Sequence, residues 1–159
     1  MNNKFNKLLL SAIIISVGFL TYCTDQYENH SLAIRNNTLD SIQVDRHYSG
    51  SIQIRTIMVA PGAYGKFYET SADLWVTPSV ELQKICDSLV ITGLKNDIPF
   101  RIMFSSDNTK NYCNSPYASD ASWTTEIIVN EEPKFLGKTL EHYYIHIFDI
   151  NASCINTTR

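Results

Sequence analysis

Few side chains in this 159-residue sequence have the type and spacing for chemistry. They are Cys23, Cys86, Cys113 and Cys154, four histidines, and the rings Tyr112, Tyr117 and Trp123 in "SSDNTKNYCNSPYASDASW", residues 105 to 123. A thiolate metal site needs closely spaced Cys or His pairs, and no Cys-x-x-Cys occurs. His142 and His146 are four apart, which on a helix would place two ligands on one face. The surrounding "HYYIHIFDI" alternates as a strand instead, and four strand steps separate the two by about 13 Å, too far to share an ion. His30 falls in a polar linker and His47 near a turn, neither with a visible partner. No metal or cofactor is implied, and what remains is thiol chemistry and ring contacts.

Catalytic signatures are missing. "GAYGK" lacks the glycine spacing of a phosphate loop, and Phe67 follows the lysine where Ser or Thr is needed. The sequence contains no G-x-S-x-G, H-E-x-x-H, Ser-x-x-Lys or G-x-G-x-x-G. Glu131 and Glu132 are adjacent before Pro133 and would point different ways, a poor acid/base pair. The expectation is a protein that is not an enzyme. A small secreted hydrolase with an unfamiliar site would have to show itself as a buried cluster of carboxylate or histidine. The 105 to 123 loop carries two competing expectations. Tyr112, Tyr117 and Trp123 among amides and carboxylates suit a platform for glycan or peptide; alternatively they cover one end of the fold.

The N-terminus explains Cys23. "MNNKFNK" is basic, "LLLSAIIISVGFL" from Leu8 to Leu20 is an apolar run of 13 residues, and polarity returns at "TYC". That is the layout of a secretory signal, and the run is short of the roughly 20 residues that cross a bilayer. "Leu20-Thr21-Tyr22-Cys23" resembles the lipobox of bacterial lipoproteins, with Tyr22 standing where the family has a small residue. The resemblance implies that residues 1 to 22 are removed and that Cys23 becomes the acylated N-terminus, palmitate among its chains, in the outer membrane. Whether the protein faces the periplasm or the cell surface stays open.

The rest of the chain is acidic, with 16 Asp and Glu against 13 Lys and Arg, of which Lys4 and Lys7 lie in the signal. That balance argues against nucleic acid and leaves the lipid as the membrane contact, with an envelope protein or a glycan as partner. Residues 23 to 30, from Cys23 through "TDQYENH", read as the lipidated N-terminus and a polar tether.

From Ser31 to Arg159 the pattern is one domain of short strands. "SIQV" and "SIQI", ten apart around Gly50, read as two arms of a hairpin. Pro61-Gly62 turns into a strand from Lys66 to Glu69, and "DLWVT" is another strand. Thr77 and Pro78 start a short helix, and residues 88 to 93 and 99 to 105 form a hairpin turning through Gly93 to Asp97. "TTEIIVN" and "HYYIHIFDI" close the set. The predicted fold is mainly β, a single antiparallel sandwich of immunoglobulin-like kind, with a small barrel as competitor. The words "NHSLAIRNNTLDSIQV", "VAPGAYGKF" and "CDSLVITG" resemble small Gram-negative envelope lipoproteins and imply no activity. In an oxidising compartment the second hairpin would bring Cys86 to the same end as Cys113, a disulfide candidate, with Cys154 as rival partner.

Overall fold

The computed structural model describes residues 24–48, 55–72, 75–107, 114–134 and 137–155. The described residues form eight strands: β1 (Thr24–Asn37), β2 (Ile42–His47), β3 (Arg55–Val59), β4 (Tyr64–Ser71), β5 (Ser88–Lys95), β6 (Ile98–Ser105), β7 (Trp123–Lys134) and β8 (Gly137–Asn151). One helix, α1 (Pro78–Ile85), precedes β5. Two four-stranded sheets, ordered β4-β1-β8-β7 and β3-β2-β5-β6, pack as a sandwich. The β-sandwich expectation is therefore met, by two separate sheets. The strand order is not that of an immunoglobulin domain, where the first two strands share a sheet; here β1 and β2 lie on different sheets. Nor is every pair antiparallel, because β1 runs parallel to β8 along its whole length, from Thr24 opposite Lys138 to Asn37 opposite Asn151.

Period-two alternation decides what meets between the sheets. Leu32 and Ile34 of β1 with Phe148 and Ile150 of β8 face Ile42, Leu89, Ile91 and Phe104 of the other sheet, all buried. Burying each such side chain fully is worth about 1.5–3 kcal/mol. Helix α1 seals one side with Pro78, Leu82 and Ile85, spaced for a single face. Pro78 opens it as expected; Thr77, however, makes no side-chain cap, and the Ser79 amide donates to Asp120 Oδ1 at 2.9 Å instead.

Two turns are set by backbone chemistry. Asn96 and Asp97 both have positive φ, 52° and 62°, and join β5 to β6 as a two-residue hairpin of the type that favours such residues. Gly93, expected in that turn, lies inside β5. A Cβ there would come within 2.9 Å of the Phe100 ring, so glycine is what lets Phe100 settle on the strand. At the other turn, Gly62 has φ 72° and follows Pro61, with Ala63 N–H bonded to Ala60 O. The "SIQV" strand does pair as an antiparallel hairpin, Ile42 opposite Val59 and Arg46 opposite Arg55, while Gly50 and "SIQI" lie outside the described residues. Trp75, Val76 and Thr77 of "DLWVT" are not a strand but an extended lead-in to α1. The expected tether at 24 to 30 is overturned: these residues are the first half of β1, because β8 supplies backbone partners for a segment with no apolar period of its own.

Asn36 ties the sheets together. Its buried amide donates to Val59 O (2.9 Å) and Asp40 O (2.8 Å), and its Oδ1 accepts from the Thr38 amide (2.9 Å) and hydroxyl (2.6 Å). Its main chain also bonds Ala63 O and the Gly62 amide. Asn36→Ala is expected to destabilise the fold by about 3 kcal/mol, since several buried groups lose partners at once. Asn36→Asp, the same shape, also destabilises, because it turns an acceptor toward two carbonyls. Urea unfolding midpoints check both, with exposed Leu39→Ala as the unchanged reference.

Candidate functional site

The expected aromatic platform is not a surface. Tyr117 is 4% exposed and Trp123 8%, both inside the main core. The Trp123 ring packs on Phe148, which packs in turn on Phe104, and its Nε1–H donates to Pro116 O at 2.9 Å. Tyr117 Oη lies 3.2 Å from Cys86 Sγ and 3.3 Å from Cys86 O, and burial drives its ionisation far above the ordinary range. Residues 114 to 122 thus close one end of the sandwich, the second of the two expectations. Apolar faces of that size beside an unsealed sandwich end gain more from burial than from exposure to solvent. Tyr112 lies outside the described residues, as do Cys113 and Cys23, so neither the proposed lipidation nor the Cys86–Cys113 pairing is located. Cys86 holds a buried thiol whose ionisation is pushed up by burial, and Cys154 is buried in the 3-10 turn after β8; no disulfide joins these two.

What the structure does assemble is a buried imidazole pair. His30 Nδ1 and His146 Nε2 are 3.2 Å apart, both rings fully buried. The rings are 6° from parallel with centroids 5.5 Å apart, which is the N···N distance plus two ring radii. Two imidazoles therefore lie end to end in one plane, joined by a single N–H···N bond. Tyr144 stacks on His30 at 4.8 Å and 11°. Trp75, 59% exposed, stands nearly perpendicular to all three rings at 5.2–6.1 Å. At one end of the chain of bonds Thr125 Oγ1 is 2.9 Å from His146 Nδ1; at the other, His30 Nε2 has no hydrogen-bond partner among the described residues and has Glu28 Oε2 at 3.7 Å.

Each member is placed by a strand. Parallel pairing sets His30 opposite Tyr144 and Leu32 opposite His146, so the imidazoles meet on the diagonal, and β7 puts Thr125 opposite His146. From sequence alone His30 falls in a linker and His146 on a strand without a partner. The signal for their meeting is that His30 continues the Leu32, Ile34 alternation one step back, as His146 continues Phe148, Ile150. Burial holds the His30 ring below its ordinary range, with Glu28 pulling the other way. Burial first, then the neighbouring His30, pushes His146 down to about 4. Both are neutral at pH 7, and a base that weak accepts few protons there. The hydrogen-bonded run His30, His146, Thr125 can swap tautomers, with Glu28 standing 3.7 Å from its open end, but it lies beneath Trp75.

Where β1 meets β4 in the same sheet, two shallow grooves of about 280 and 400 Å3 share Asn29 and Ser71, and His30 lines the smaller one. Ser71 Oγ donates to Asn29 Oδ1 at 2.8 Å, and Glu69, Tyr143, Tyr27 and Glu141 complete the walls. Trp123→Ala should lower stability by about 4 kcal/mol, the cost of a core cavity, and Tyr117→Phe by about 1 kcal/mol, both read as urea midpoints. An equally stable Trp123→Ala would mean that the ring is not core. Comparison with protein-family models, with curated proteins and with solved structures finds no match to this chain.

Proposed function

We propose that the chain is a lipid-anchored protein of a bacterial envelope, held at the outer membrane through Cys23, with a non-catalytic accessory or structural role exercised through contact with another protein. The observation that carries the contact is β7. It is an edge strand of 12 residues whose pairing with β8 runs without a bulge, and no described residue pairs with its outer side. In its middle Ile127, Ile128 and Val129 are 58%, 47% and 54% exposed, on both faces of the sheet. Edge strands of soluble domains are ordinarily blunted by lysine, proline or bulges; here Pro133 and Lys134 blunt the far end, and the apolar, bulge-free stretch from Ile127 to Val129 suits strand addition by a partner. The anchor reading is supported by the "LTYC" word and the short apolar run before it.

Intact mass of the membrane-extracted protein should exceed the mass of residues 23 to 159 by its acyl chains, and Cys23→Ala should lose that increment and the membrane fraction with it. A wild type without the increment would end the anchor reading. Protease shaving of whole cells then tells surface from periplasmic placement. The surface-glycan reading is second, and the paired grooves favour it more than the buried rings do: exposed Tyr27 with Asn29, Glu69 and Glu141 offers a ring and polar groups to a sugar. If it holds, a glycan array binds wild type, and Tyr27→Ala with Asn29→Ala removes the signal. The hydrolase reading would use the imidazole chain, whose weak basicity and cover under Trp75 speak against it.

A further inference from the structure

We propose that the His30–His146 pair is an acid-operated clasp that holds residues 24 to 29 as a strand and releases them as a tether when both imidazoles are protonated. The segment "TDQYEN" has a tether's composition, and its hold is one-sided. β4 meets β1 from Asn29, opposite Ser71, and just beyond it the Ala72 amide donates to Glu28 O at 3.1 Å, so, among the described residues, 24 to 27 pair with β8 alone. Directly above that one-sided stretch, the imidazoles bridge β1 to β8 by side chain, and Tyr144 and Trp75 close around them. Below the clasp, Leu32 and Ile34 are in the core; beyond it, Gln26 and Tyr27 are exposed. The clasp thus stands where the core packing of Leu32 and Ile34 ends and the backbone pairing with β8 continues.

Proton count decides its state. With no added proton, one N–H lies between the rings and accounts for the bond. A first proton leaves that bond in place and gives both outer nitrogens an N–H, one facing Thr125 Oγ1 and the other Glu28 Oε2. A second proton puts an N–H on each of the two nitrogens that face each other at 3.2 Å, so donor meets donor and charge meets charge inside the fold. The charged and titratable neighbours are Glu28 on β1 and, at longer range, Glu81 on α1, both favouring His30 protonation, and Asp120 in the turn before β7, favouring that of His146. Tyr144 and His142 adjoin on β8. Burial outweighs these carboxylates, and both imidazoles titrate below their ordinary value, His146 at about 4. A depressed imidazole contributes stability that is complete above the ordinary value near 6.5 and is lost as pH falls toward about 4. The loss is local, since the released stretch buries little apolar surface. With Cys23 acylated, release would lengthen the stem between lipid and domain; that consequence rests on the anchor, whereas the clasp does not.

Hydrogen exchange of the full chain in detergent, corrected for intrinsic rates, tests this at pH 7 and pH 4. Amides 24–29 of the wild type should lose about tenfold or more of their protection at pH 4, while β5 and β6 change by less than about threefold. His146→Gln should make protection of 24–29 independent of pH, whether it is high or low throughout. The clasp is overturned if wild-type 24–29 protection does not change, if it falls in step with β5 and β6, or if His146→Gln loses it with the same pH dependence.

Discussion

Everything in this fold hangs on the parallel pairing of the first described strand with the last. β1 and β8 stay in one register over 14 residues each, at a sequence offset of more than a hundred positions. Such a pair forms late, because closing so long a loop costs entropy before any contact repays it. Repayment is uneven along the pair. Leu32, Ile34, Phe148 and Ile150 bury completely or nearly so, and Asn36 one step further on is bonded to both sheets. A sandwich assembled this way has its two ends unequal from the start.

Asn36 shows how one side chain sets the geometry of that first end. Its amide reaches across to Val59 O on the other sheet while its main chain holds the turn at Gly62. The strand that leaves the sheet at Asn37 therefore enters β2 at a fixed angle, and the β2–β3 hairpin comes back against the same residue. Polar groups buried with every partner satisfied rigidify a core as well as apolar packing does. The surface pair of Arg35 with Glu126 adds little by comparison, being half exposed and screened.

Local chemistry was legible in the sequence where it acts locally. Alternation located the strands, Pro78 the helix start, and Asn96-Asp97 the neighbourhood of the second hairpin's turn. The readings that failed needed a partner far along the chain. "TDQYENH" looks like a linker because its strand character is borrowed from β8, and His30 looks alone because His146 is 116 residues away. Gly93 resembles turn punctuation unless Phe100 is known to lie over it. Tyr117 and Trp123 sit in a polar run, and only the open end of the sandwich beneath them says that their rings point inward. Composition reports the average environment of a stretch, whereas function and packing are decided ring by ring.

The second end of the β1–β8 pair is where satisfaction runs out. Past Leu32 the strand buries His30 with one nitrogen unpaired, Thr139 keeps a buried hydroxyl without a partner among the described residues, and Trp75 stands largely in solvent over the pair. The neighbouring stretch of β7 changes at the same level from Thr125, bonded to His146, to the exposed Ile127, Ile128 and Val129. Local stability follows the density of buried apolar contacts and satisfied bonds, so this end opens at lower cost than the Asn36 end. Elements that bind or switch are drawn from such regions, because a partner or a proton can alter them without unfolding the rest. The chain places its unpaired edge, its buried imidazoles and the residues next to Cys23 at that one end, and a single change there bears on all three.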